Sequence, residues 1–524
     1  MKVLFVYPSI DCPPGVSHGI ASLSAVLKKG GHETSLIHVC EHLWPIPSNA
    51  ELVERIRQEN AGIIGFSVMS QQYEWTCALV KDIRAAGITT PICIGGVHCT
   101  MVPEQVTESG LFEYVAVGEA EYPFLELVNR LERNEDTSTI PNLRIYRPGG
   151  KSIKNCVEGF PDLGTLPDMD WDIFDMERIL HVKKGWLSLL TSRGCPYKCT
   201  YCFNKEIVDQ YLEDGGVKNA KEYLRHYPVS RVLDEVSTLK SRFSGVNTII
   251  FDDDLFTLNK TYVLDFCEQY KKSGIGIPFV VNAHVQVFND EIARALKEAG
   301  CMIVKYGLES GSDKIRREVL WRYMTNETIE RAFAAAHRQD LHTSAFIMFG
   351  LPKEGKQEVL DTLSLCSRIK MGRFRWALFF PFPGTAGYTI ARENDLIDFE
   401  KMKSLGNYFD GTCLRFGDEH DLWLEKVGKV CHWWVNALSD WPSAPIYQKL
   451  VAEVEALSRD EWNVRKKTIL QEDRDISEEL LEKGVPHYSI RYSHVMGVHS
   501  DFVLSERDRL RRFAASHQLS YTLD

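Results

Sequence analysis

The sequence predicts an α/β protein with a doubly wound parallel sheet first, a partial (β/α)6 barrel second and a mainly helical C-terminal region. Two observations support this fold class. Apolar strand-like runs alternate with amphipathic helical stretches over residues 1–135, and the same alternation returns from Leu187. Such alternation is typical of parallel sheets whose strands are connected by helices.

The clearest alternation lies in residues 1–135. Helices are predicted at Gly19–Lys29 and Tyr73–Ala86, and strands at Val3–Val6, Thr34–Val39, Gly62–Phe66, Pro91–Ile94 and Tyr114–Val117. Parallel sheets bind ligands beyond the carboxyl ends of their strands, where this chain carries the loops Pro8–Gly15, Ser67–Gln72, Gly95–His98 and Gly118–Glu119. Those loops fit a large polar cofactor, while the fold alone is equally compatible with a flavin, a nucleotide or no ligand.

Residues 136–185 are interrupted by prolines and are predicted to be a connector with a hairpin around Pro148–Gly150. Over residues 186–388 the alternation resumes, with helices at Arg231–Phe243 and Asp290–Ala299. Strands are predicted there at Leu187–Thr191, Asn247–Phe251, Phe279–Asn282, Met302–Gly307, Ser344–Phe349 and Arg375–Pro381. In a barrel of this kind the reactive groups gather at the carboxyl ends of the strands.

Residues 389–524 are predicted to form a cap that carries substrate contacts. Helices are expected at Leu422–Leu438 and Ser443–Leu457, followed by the charged segment Arg465–Lys483 and a strand-like stretch, His487–Val498. Aromatic rings are dense in the first helix and after it, with Trp423, His432, Trp433, Trp434 and Trp441. Such rings suit a substrate cap, but at helical spacing they more often belong to a core.

Composition places the chain among ordinary globular proteins. Its 524 residues should divide into two or three domains, and a net charge of −11 gives no general attraction to nucleic acid or anionic membranes. Met1 is followed at once by the strand-like run Lys2–Tyr7, and no apolar stretch reaches membrane-spanning length, so we expect no signal peptide and a cytoplasmic protein. Fourteen irregularly spaced cysteines do not indicate a disulfide framework.

Three of those cysteines stand apart. Cys195, Cys199 and Cys202 lie in one short loop, at spacings that allow three thiolates to surround a cubic [4Fe-4S] cluster and leave its fourth iron without a protein ligand. A zinc knuckle is the alternative, but zinc normally takes four ligands. No fourth Cys or His lies within ten residues of Cys202, because the next cysteine is Cys267.

This loop, Cys-x3-Cys-x2-Cys with Tyr201 before its last cysteine, resembles the signature of the radical S-adenosylmethionine (SAM) enzymes. The resemblance extends over residues 186–388 and implies that SAM binds the open iron. An electron from the reduced cluster would then cleave SAM to methionine and a 5'-deoxyadenosyl radical. The implied SAM-binding residues are Tyr201, Asp253, Asp254, Glu309, Ser310, Phe349, Gly350 and Pro383. The acidic run Asp252–Asp254 has an alternative role, since acids also favour a helix N-terminus and a helix is predicted from about Asn259.

Residues 1–131 resemble the cobalamin-binding domain that precedes the catalytic domain in cobalamin-dependent radical SAM enzymes. The similarity lies in Gly62–Ser67, Pro91–His98 and Val117–Phe124. The Asp-x-His-x-x-Gly element that brings a histidine to cobalt in other cobalamin proteins is missing, so we expect a lower cobalt face without a protein nitrogen. The implied cobalamin-binding residues are Ser67, Ser70, Gln71, Gln72, Gly95, Gly96, His98, Gly118 and Glu119.

Within that set the roles differ. Ser70, Gln71 and Gln72 are the candidates beneath the corrin, and His98 is more readily explained as a loop histidine beside the nucleotide tail than as a cobalt ligand. Gly95 and Gly96 would let the backbone approach the cofactor closely, or serve a tight turn.

The two resemblances together imply a cobalamin-dependent radical SAM methyltransferase that acts on an unactivated carbon of a small-molecule substrate. It would receive electrons from an external flavodoxin- or ferredoxin-type donor, with no nucleic-acid partner expected. One alternative keeps both cofactors without methyl transfer, as in the anaerobic porphyrin cyclases. Another is an RNA methylthiotransferase, for whose second cluster Cys12, Cys40 and Cys77 are loosely spaced. A metal-stabilised binding module without activity is the last alternative.

Overall fold

The computed structural model describes residues 1–405, 411–493 and 498–504. It divides into two compact units. Unit 1 comprises Met1–Val246 with the short segment Phe382–Ala386, and unit 2 comprises Asn247–Pro381 with the chain from Gly387 onward. The predicted α/β class is confirmed in both units. Among the described residues no helix has the length and apolar character needed to cross a bilayer.

Unit 1 contains ten strands and nine α-helices. The strands are β1 (Lys2–Pro8), β2 (Glu33–Val39), β3 (Ile63–Ser67), β4 (Ile92–Gly95), β5 (Tyr114–Ala116), β6 (Leu143–Ile145), β7 (Ile153–Lys154), β8 (Trp186–Leu189), β9 (Ser192–Arg193) and β10 (Arg225–His226). The helices are α1 (His18–Lys29), α2 (Asn49–Glu59), α3 (Tyr73–Ala85), α4 (Val97–Met101), α5 (Pro103–Glu108), α6 (Glu121–Arg133), α7 (Met176–Val182), α8 (Phe203–Glu213) and α9 (Val229–Arg242). Single 3-10 turns lie at Ser70–Gln72, Trp171–Ile173 and Ala220–Tyr223.

The main sheet of unit 1 has the order β2-β1-β3-β4-β5-β6-β7. Its first five strands are parallel, as predicted, and the residues of β1 from Val3 to Val6 are buried on both faces because helices cover the sheet. The hairpin predicted around Pro148–Gly150 is present as β6 and β7, which add to the sheet edge in antiparallel pairing.

The strand predicted at Leu187–Thr191 is instead divided. β8 ends at Leu189, and after a break the chain forms β9, which pairs in antiparallel fashion with β10. The cysteine loop therefore begins directly after the short strand β9. Hydrophobic patterning could not predict this break, because both pieces are short and the partner strand is more than thirty residues away.

The described part of unit 2 contains seven strands and most of the remaining helices. The strands are β11 (Thr248–Phe251), β12 (Phe279–Ala283), β13 (Cys301–Glu309), β14 (His342–Phe349), β15 (Arg373–Leu378), β16 (Tyr488–Ser493) and β17 (Val498–Val503). The helices that follow Lys260 are α10 (Lys260–Ser273), α11 (Asp290–Ala299), α12 (Asp313–Glu318), α13 (Asn326–Arg338), α14 (Lys356–Ile369), α15 (Ala386–Glu393), α16 (Phe399–Ser404), α17 (Asp418–Ala437), α18 (Ala444–Ala456), α19 (Arg459–Arg465) and α20 (Ile469–Glu482).

Strands β11 to β15 are parallel neighbours in chain order, as the sequence predicts for a (β/α) domain. The sheet then continues with β17 and β16, which pair antiparallel to β15 and to each other. The predicted stretch His487–Val498 therefore contributes β16, while its residues 494–497 lie outside the described residues. The C-terminal segment thus extends the sheet of unit 2, and β17 is a strand that the sequence analysis did not identify.

A buried polar cluster attaches this C-terminal hairpin to the helices. The Asp473 carboxylate lies 2.6 Å from His432 Nε2, accepts a hydrogen bond from Trp433 Nε1 at 2.9 Å, and accepts another from Ser489 Oγ at 3.0 Å. The Asp501 carboxylate lies 3.1 Å from His432 Nδ1 on its other side. Trp433 is buried, and so are Trp423 and Trp434, which is consistent with a core role for these aromatic rings.

We expect Ser489→Ala to destabilise the protein by about 1.5 kcal/mol, because a fully buried carboxylate loses one hydrogen bond. The measurement is the midpoint of urea unfolding at neutral pH. Ser404→Ala at the exposed end of α16 is the matched control and should lie within about 0.5 kcal/mol of the parent protein. Equal midpoints for the two variants would contradict the role given to this cluster.

Candidate cofactor sites

The cysteine loop runs between two fixed elements of unit 1. It follows β9, and it ends at Cys202, which is the N-cap residue of α8. Gly194 starts the loop with a left-handed φ of +93°, and a Cβ atom there would overlap the Tyr223 carbonyl group, so only glycine fits. A turn closes the loop at its other end, where Cys202 N donates to Cys199 O at 3.1 Å.

The donor set of this loop fits an iron–sulfur cluster. Cys199 is buried, and Cys195 and Cys202 are half-buried. Thiolates are the protein ligands that such clusters take, and each binds a different iron. Among the described residues there is no group of three or more Cys, His, Asp or Glu side chains gathered around a single point.

Arg193, two residues before Cys195, anchors this loop to the main sheet. Its guanidinium donates to Glu119 at 3.0 Å and to Glu121 at 2.7 Å, and a further contact of 3.2 Å reaches Ser22 Oγ. Burial alone would lower the pKa of Arg193, but Glu121 and Glu119 raise it well above its ordinary value. The side chain is therefore a permanent cation held in a buried network.

Arg225 of β10 completes this network. It pairs with Glu119, donates to the Pro161 carbonyl oxygen at 2.7 Å and lies over the Phe160 ring at 4.5 Å. Glu119, which follows β5, is therefore clamped between two arginines from the cysteine-loop sheet. Sequence reasoning selected Glu119 but missed both arginines, because nothing in the local pattern links residues about 75 and 105 positions apart.

A cavity of about 180 Å³ lies beside this network, at the carboxyl ends of the strands of the main sheet. Small residues on neighbouring strands create it. Gly65, Gly95 and Ala116 lie along it, and a Cβ atom on Gly95 would come within 3.3 Å of the Ala116 Cβ. Whole-ligand pockets measure about 300–1,000 Å³, so this cavity fits one part of a large cofactor whose remainder lies outside.

Five of the nine residues implied for cobalamin line the cavity: Ser67, Gly95, Gly96, Gly118 and Glu119. Lining residues that the sequence analysis missed include Phe5, Leu23, Glu121, Phe124 and Arg193. Gly96 also serves a tight turn, because its φ is +103° and a Cβ would lie 2.6 Å from the Val68 carbonyl oxygen. Both roles considered for this glycine are therefore compatible with its position.

The other four residues lie apart from the cavity, on the segment after β3 and on α4. His98 is buried and tilted against the Tyr73 ring at 4.2 Å, and its Nδ1 lies 3.1 Å from Ser70 Oγ. Burial lowers the pKa of His98 to about 4, so the ring is neutral at physiological pH. Gln72 is also buried and donates to the Ile10 carbonyl oxygen at 2.8 Å, while Gln71 is half-buried.

In unit 2 the acidic run follows β11 directly. Asp253 is fully buried, Asp254 is exposed, and Asp252 forms an ion pair with Lys305 at 3.1 Å. Helix α10 begins only at Lys260, with Asn259 as its N-cap and no acid in its first turn. The acids therefore do not supply charge to that helix, which removes the alternative role considered for them.

Glu309 is the last residue of β13 and Ser310 follows it, next to a register shift between β13 and β14. Glu309 is buried and adopts a left-handed φ of +64°, a conformation that costs a non-glycine residue about 1 kcal/mol and often marks a functional position. Ser310 is fully buried, and its Oγ lies 3.3 Å from Thr362 Oγ1.

Two further polar residues that the sequence analysis missed lie beside Glu309. Arg322 donates to the Gly307 carbonyl oxygen at 2.6 Å and lies 3.4 Å from His284 Nε2. Burial and then the Arg322 charge lower the pKa of His284 to about 3, so this imidazole is neutral. Arg322 therefore places a positive charge next to a neutral imidazole.

Phe349 ends β14, Gly350 follows it, and both residues are buried. The loop that they begin is closed by Glu354, which accepts a hydrogen bond from Leu351 N at 3.1 Å. Burial raises the pKa of Glu354 to about 8, so its carboxyl group is mostly protonated at neutral pH. Pro383 and Tyr201 belong to unit 1, where Gly384 packs against Met101, and so lie in a different unit from the remaining residues implied for SAM.

Burial affects all three cysteines considered for a second cluster, which are Cys12, Cys40 and Cys77. Cys77 lies on α3 within the hydrophobic core of the sheet, and burial raises its pKa. Burial likewise raises the pKa of Cys12 to about 11 and the pKa of Cys40.

Comparison with known proteins gives two family matches on this chain. Residues 189–366 match the Radical SAM superfamily, and residues 13–128 match the B12 binding domain. An uncharacterised methyltransferase of Pyrococcus horikoshii is 26% identical over 408 residues, which covers 76% of this chain and 84% of that protein. The anaerobic magnesium-protoporphyrin IX monomethyl ester cyclase of Rubrivivax gelatinosus is 23% identical over 420 residues, covering 76% and 72%.

A solved structure has the same fold. It is the radical SAM methyltransferase TsrM of Kitasatospora setae, with cobalamin and a [4Fe-4S] cluster bound. The similarity has a TM-score of 0.61 at 19% identity and covers 75% of each chain.

Proposed function

Because this chain belongs to the cobalamin-dependent radical SAM enzymes, we propose that it transfers a methyl group from methylcobalamin to an unactivated carbon of a small molecule. The observation that carries the proposal is the Arg193 network. It joins the cysteine loop to Glu119 and Glu121 beside the cavity of the B12 binding domain. Methyl transfer to a substrate radical needs both cofactors close together, and this network would hold the two proposed binding segments together within unit 1.

The three cysteines would bind the [4Fe-4S] cluster. SAM would contact Tyr201, Asp253, Asp254, Glu309, Ser310, Phe349, Gly350 and Pro383. When bound, the cluster and SAM supply the radical that removes hydrogen, and cobalamin supplies the methyl group. The buried carboxylates of Asp253 and Glu309 would accept hydrogen bonds from the SAM ammonium or ribose, and their burial strengthens such bonds by excluding water.

The cavity beside Glu119 would hold one end of cobalamin, with Gly65 and Gly95 giving it room. Ser67, Gly96, Gly118 and Glu119 would line that end, and Ser70, Gln71, Gln72 and His98 would lie nearer the corrin. His98 is buried and neutral, and it contacts Ser70. These features favour a role in positioning the segment Ser70–Gln72 over a role as a cobalt ligand.

A cyclase without methyl transfer is the second candidate, since the cyclase of Rubrivivax gelatinosus covers 76% of this chain. An RNA methylthiotransferase is disfavoured because Cys77, one of the three cysteines considered for its second cluster, lies within the hydrophobic core of the main sheet. An external donor of the flavodoxin or ferredoxin type and a cytoplasmic location complete the proposal, because a cluster of this kind needs low-potential electrons and a reducing compartment.

The test is an anaerobic reaction of reconstituted protein with cell extract, cobalamin and SAM carrying a deuterated methyl group. We expect a new compound whose mass includes the labelled methyl group, formed together with 5'-deoxyadenosine. Deoxyadenosine formation with a product of lower hydrogen content and no label would favour the cyclase. Protein without added cobalamin is the control and should form no labelled product.

A further inference from the structure

Helix α8 connects the cysteine loop to the wall of the cavity in unit 1. The helix begins after its N-cap Cys202, and Tyr211 lies nine residues beyond that cysteine, which is about 14 Å along a helix. Tyr211 is fully buried, and its hydroxyl oxygen accepts a hydrogen bond from Glu119 N at 3.0 Å. Glu119 and the preceding Gly118 both line the cavity. One side chain of this helix therefore contacts the cavity wall.

The contact between Tyr211 and Gly118 is as close as a backbone allows. Gly118 has a left-handed φ of +72°, and a Cβ atom there would overlap the Tyr211 hydroxyl and lie 2.8 Å from its ring atoms. Any larger residue at this position would push α8 away from the loop that follows β5. The glycine therefore serves the packing of Tyr211 as well as the cavity.

A second donor converges on the same phenolic oxygen. Asn142 Nδ2 lies 3.3 Å from Tyr211 Oη, and it also donates to the carbonyl oxygens of Val117 and Glu119 at 3.1 and 3.2 Å. Burial raises the pKa of Tyr211 well above its ordinary value, so the hydroxyl stays neutral. Phenylalanine would fill the same space but would take this acceptor away from Glu119 N, so the contact depends on the hydroxyl and not only on the ring.

Aromatic stacking holds the ring of Tyr211 in place. The Phe160 ring lies nearly parallel to it, with ring centres 3.9 Å apart and planes inclined by 16°. Tyr223 packs 4.9 Å from Phe160, and its hydroxyl donates to Asn204 Oδ1 at 2.6 Å. Because Asn204 lies in the first turn of α8 and Tyr211 near its end, the three rings contact this helix close to both ends.

We propose that Tyr211 is a positioning residue that sets the separation between cobalamin and the [4Fe-4S] cluster. It ties the peptide between Gly118 and Glu119, at the cavity, to the helix that starts at Cys202. This role rests on the proposed function, which assigns the two cofactors to these segments. The Arg193 network holds the strand before the cysteine loop by charge, whereas Tyr211 holds the helix after that loop through a neutral hydroxyl.

The experiment uses the full chain, reconstituted with iron and sulfide and loaded with cobalamin. Visible absorbance gives the dissociation constant of cobalamin. Electron paramagnetic resonance of the dithionite-treated protein gives the magnetic coupling between cob(II)alamin and the reduced cluster, which depends steeply on the distance between them. In Tyr211→Phe we expect cobalamin binding to weaken at least about fivefold. The coupling should become weaker and more widely distributed, because the cavity wall is no longer bonded to α8.

Tyr270→Phe is the matched control. Tyr270 of α10 is also buried and makes one hydrogen bond to the backbone, at 2.7 Å from its hydroxyl to the Ile277 carbonyl oxygen, but it belongs to unit 2. This variant should lose stability in urea as Tyr211→Phe does, while it keeps the affinity and the coupling of the parent. Phe160→Leu removes the ring stack and is a second test variant, in which the coupling should change in the same direction.

A coupling in Tyr211→Phe that matches the parent, or an equal change in Tyr270→Phe, would overturn the role given to Tyr211. Phe160→Leu decides in the same way if Tyr211→Phe does not fold. Neither measurement needs turnover. A parent protein that binds both cofactors but forms no methylated product would therefore contradict the proposed methyl transfer and leave the test of Tyr211 intact, whereas a parent that binds no cobalamin would overturn both.

Discussion

Replacing Cys199 by alanine is expected to abolish SAM cleavage. Each thiolate of the loop binds a different iron of the cube, so the loss of one leaves the cluster with two protein ligands on a loop built for three. Deoxyadenosine formation should fall to background, and iron content should fall well below the roughly four atoms per chain of a full cluster. Chromatography with mass spectrometry and iron quantitation under anaerobic conditions measure both.

Cys156→Ala is the matched control, because this cysteine is exposed and lies outside the loop. It should retain iron and deoxyadenosine formation. If Cys199→Ala still cleaves SAM, or if anaerobically prepared parent protein carries thiolate-bound zinc in place of iron, the assignment of the loop is wrong.

Replacing Gly95 by valine is expected to weaken cobalamin binding by more than about a hundredfold, equivalent to ~2.7 kcal/mol. The first added carbon would already lie 3.3 Å from the Ala116 Cβ, and two methyl groups would enter the 180 Å³ cavity. A filled cavity cannot admit the cofactor without moving the strand beneath it. Cobalamin retained after gel filtration, read from its visible absorbance, measures the effect.

Gly150→Val is the matched control. Gly150 lies in the exposed turn between β6 and β7, and a Cβ atom there meets only Arg147 atoms at 3.7 Å or more. This variant should bind cobalamin as the parent does, and both variants should keep their iron. Unchanged cobalamin binding in Gly95→Val would show that the cofactor does not enter this cavity.

Sequence patterns were most informative for features that depend on residues close together in the chain, such as the hydrophobic period of a strand or the spacing of metal ligands. The strands of the parallel sheets follow from apolar runs bounded by glycine and proline, and the cysteine loop follows from spacing alone. Side-chain placement was less predictable. Of the residues predicted to bind cobalamin, five near the carboxyl ends of the strands line one cavity: Ser67, Gly95, Gly96, Gly118 and Glu119. The other four lie apart from it: Ser70, Gln71, Gln72 and His98.

The residues that sequence analysis missed share one property, which is that their partners are far away in the chain. Arg193 forms ion pairs with Glu119 and Glu121, and Arg225 forms one with Glu119, so their role is visible only once these distant residues are brought together. The same applies to the pairing of β17 with β15 and to the carboxylates on both sides of His432. An isolated arginine or histidine gives no signal in a local window, because such residues are usually solvated surface groups.

By itself the sequence determined the alternating strands and helices, the three-thiol loop and the order of the two cofactor domains, because periodicity and ligand spacing act over a few neighbouring residues. Only the tertiary structure decided which charges meet: the arginines that hold the cysteine loop beside the cavity, and the alignment of Lys305 on β13 with Arg373 on β15. Those encounters depend on sheet register and strand order, which bring side chains separated by tens of residues to within hydrogen-bond distance.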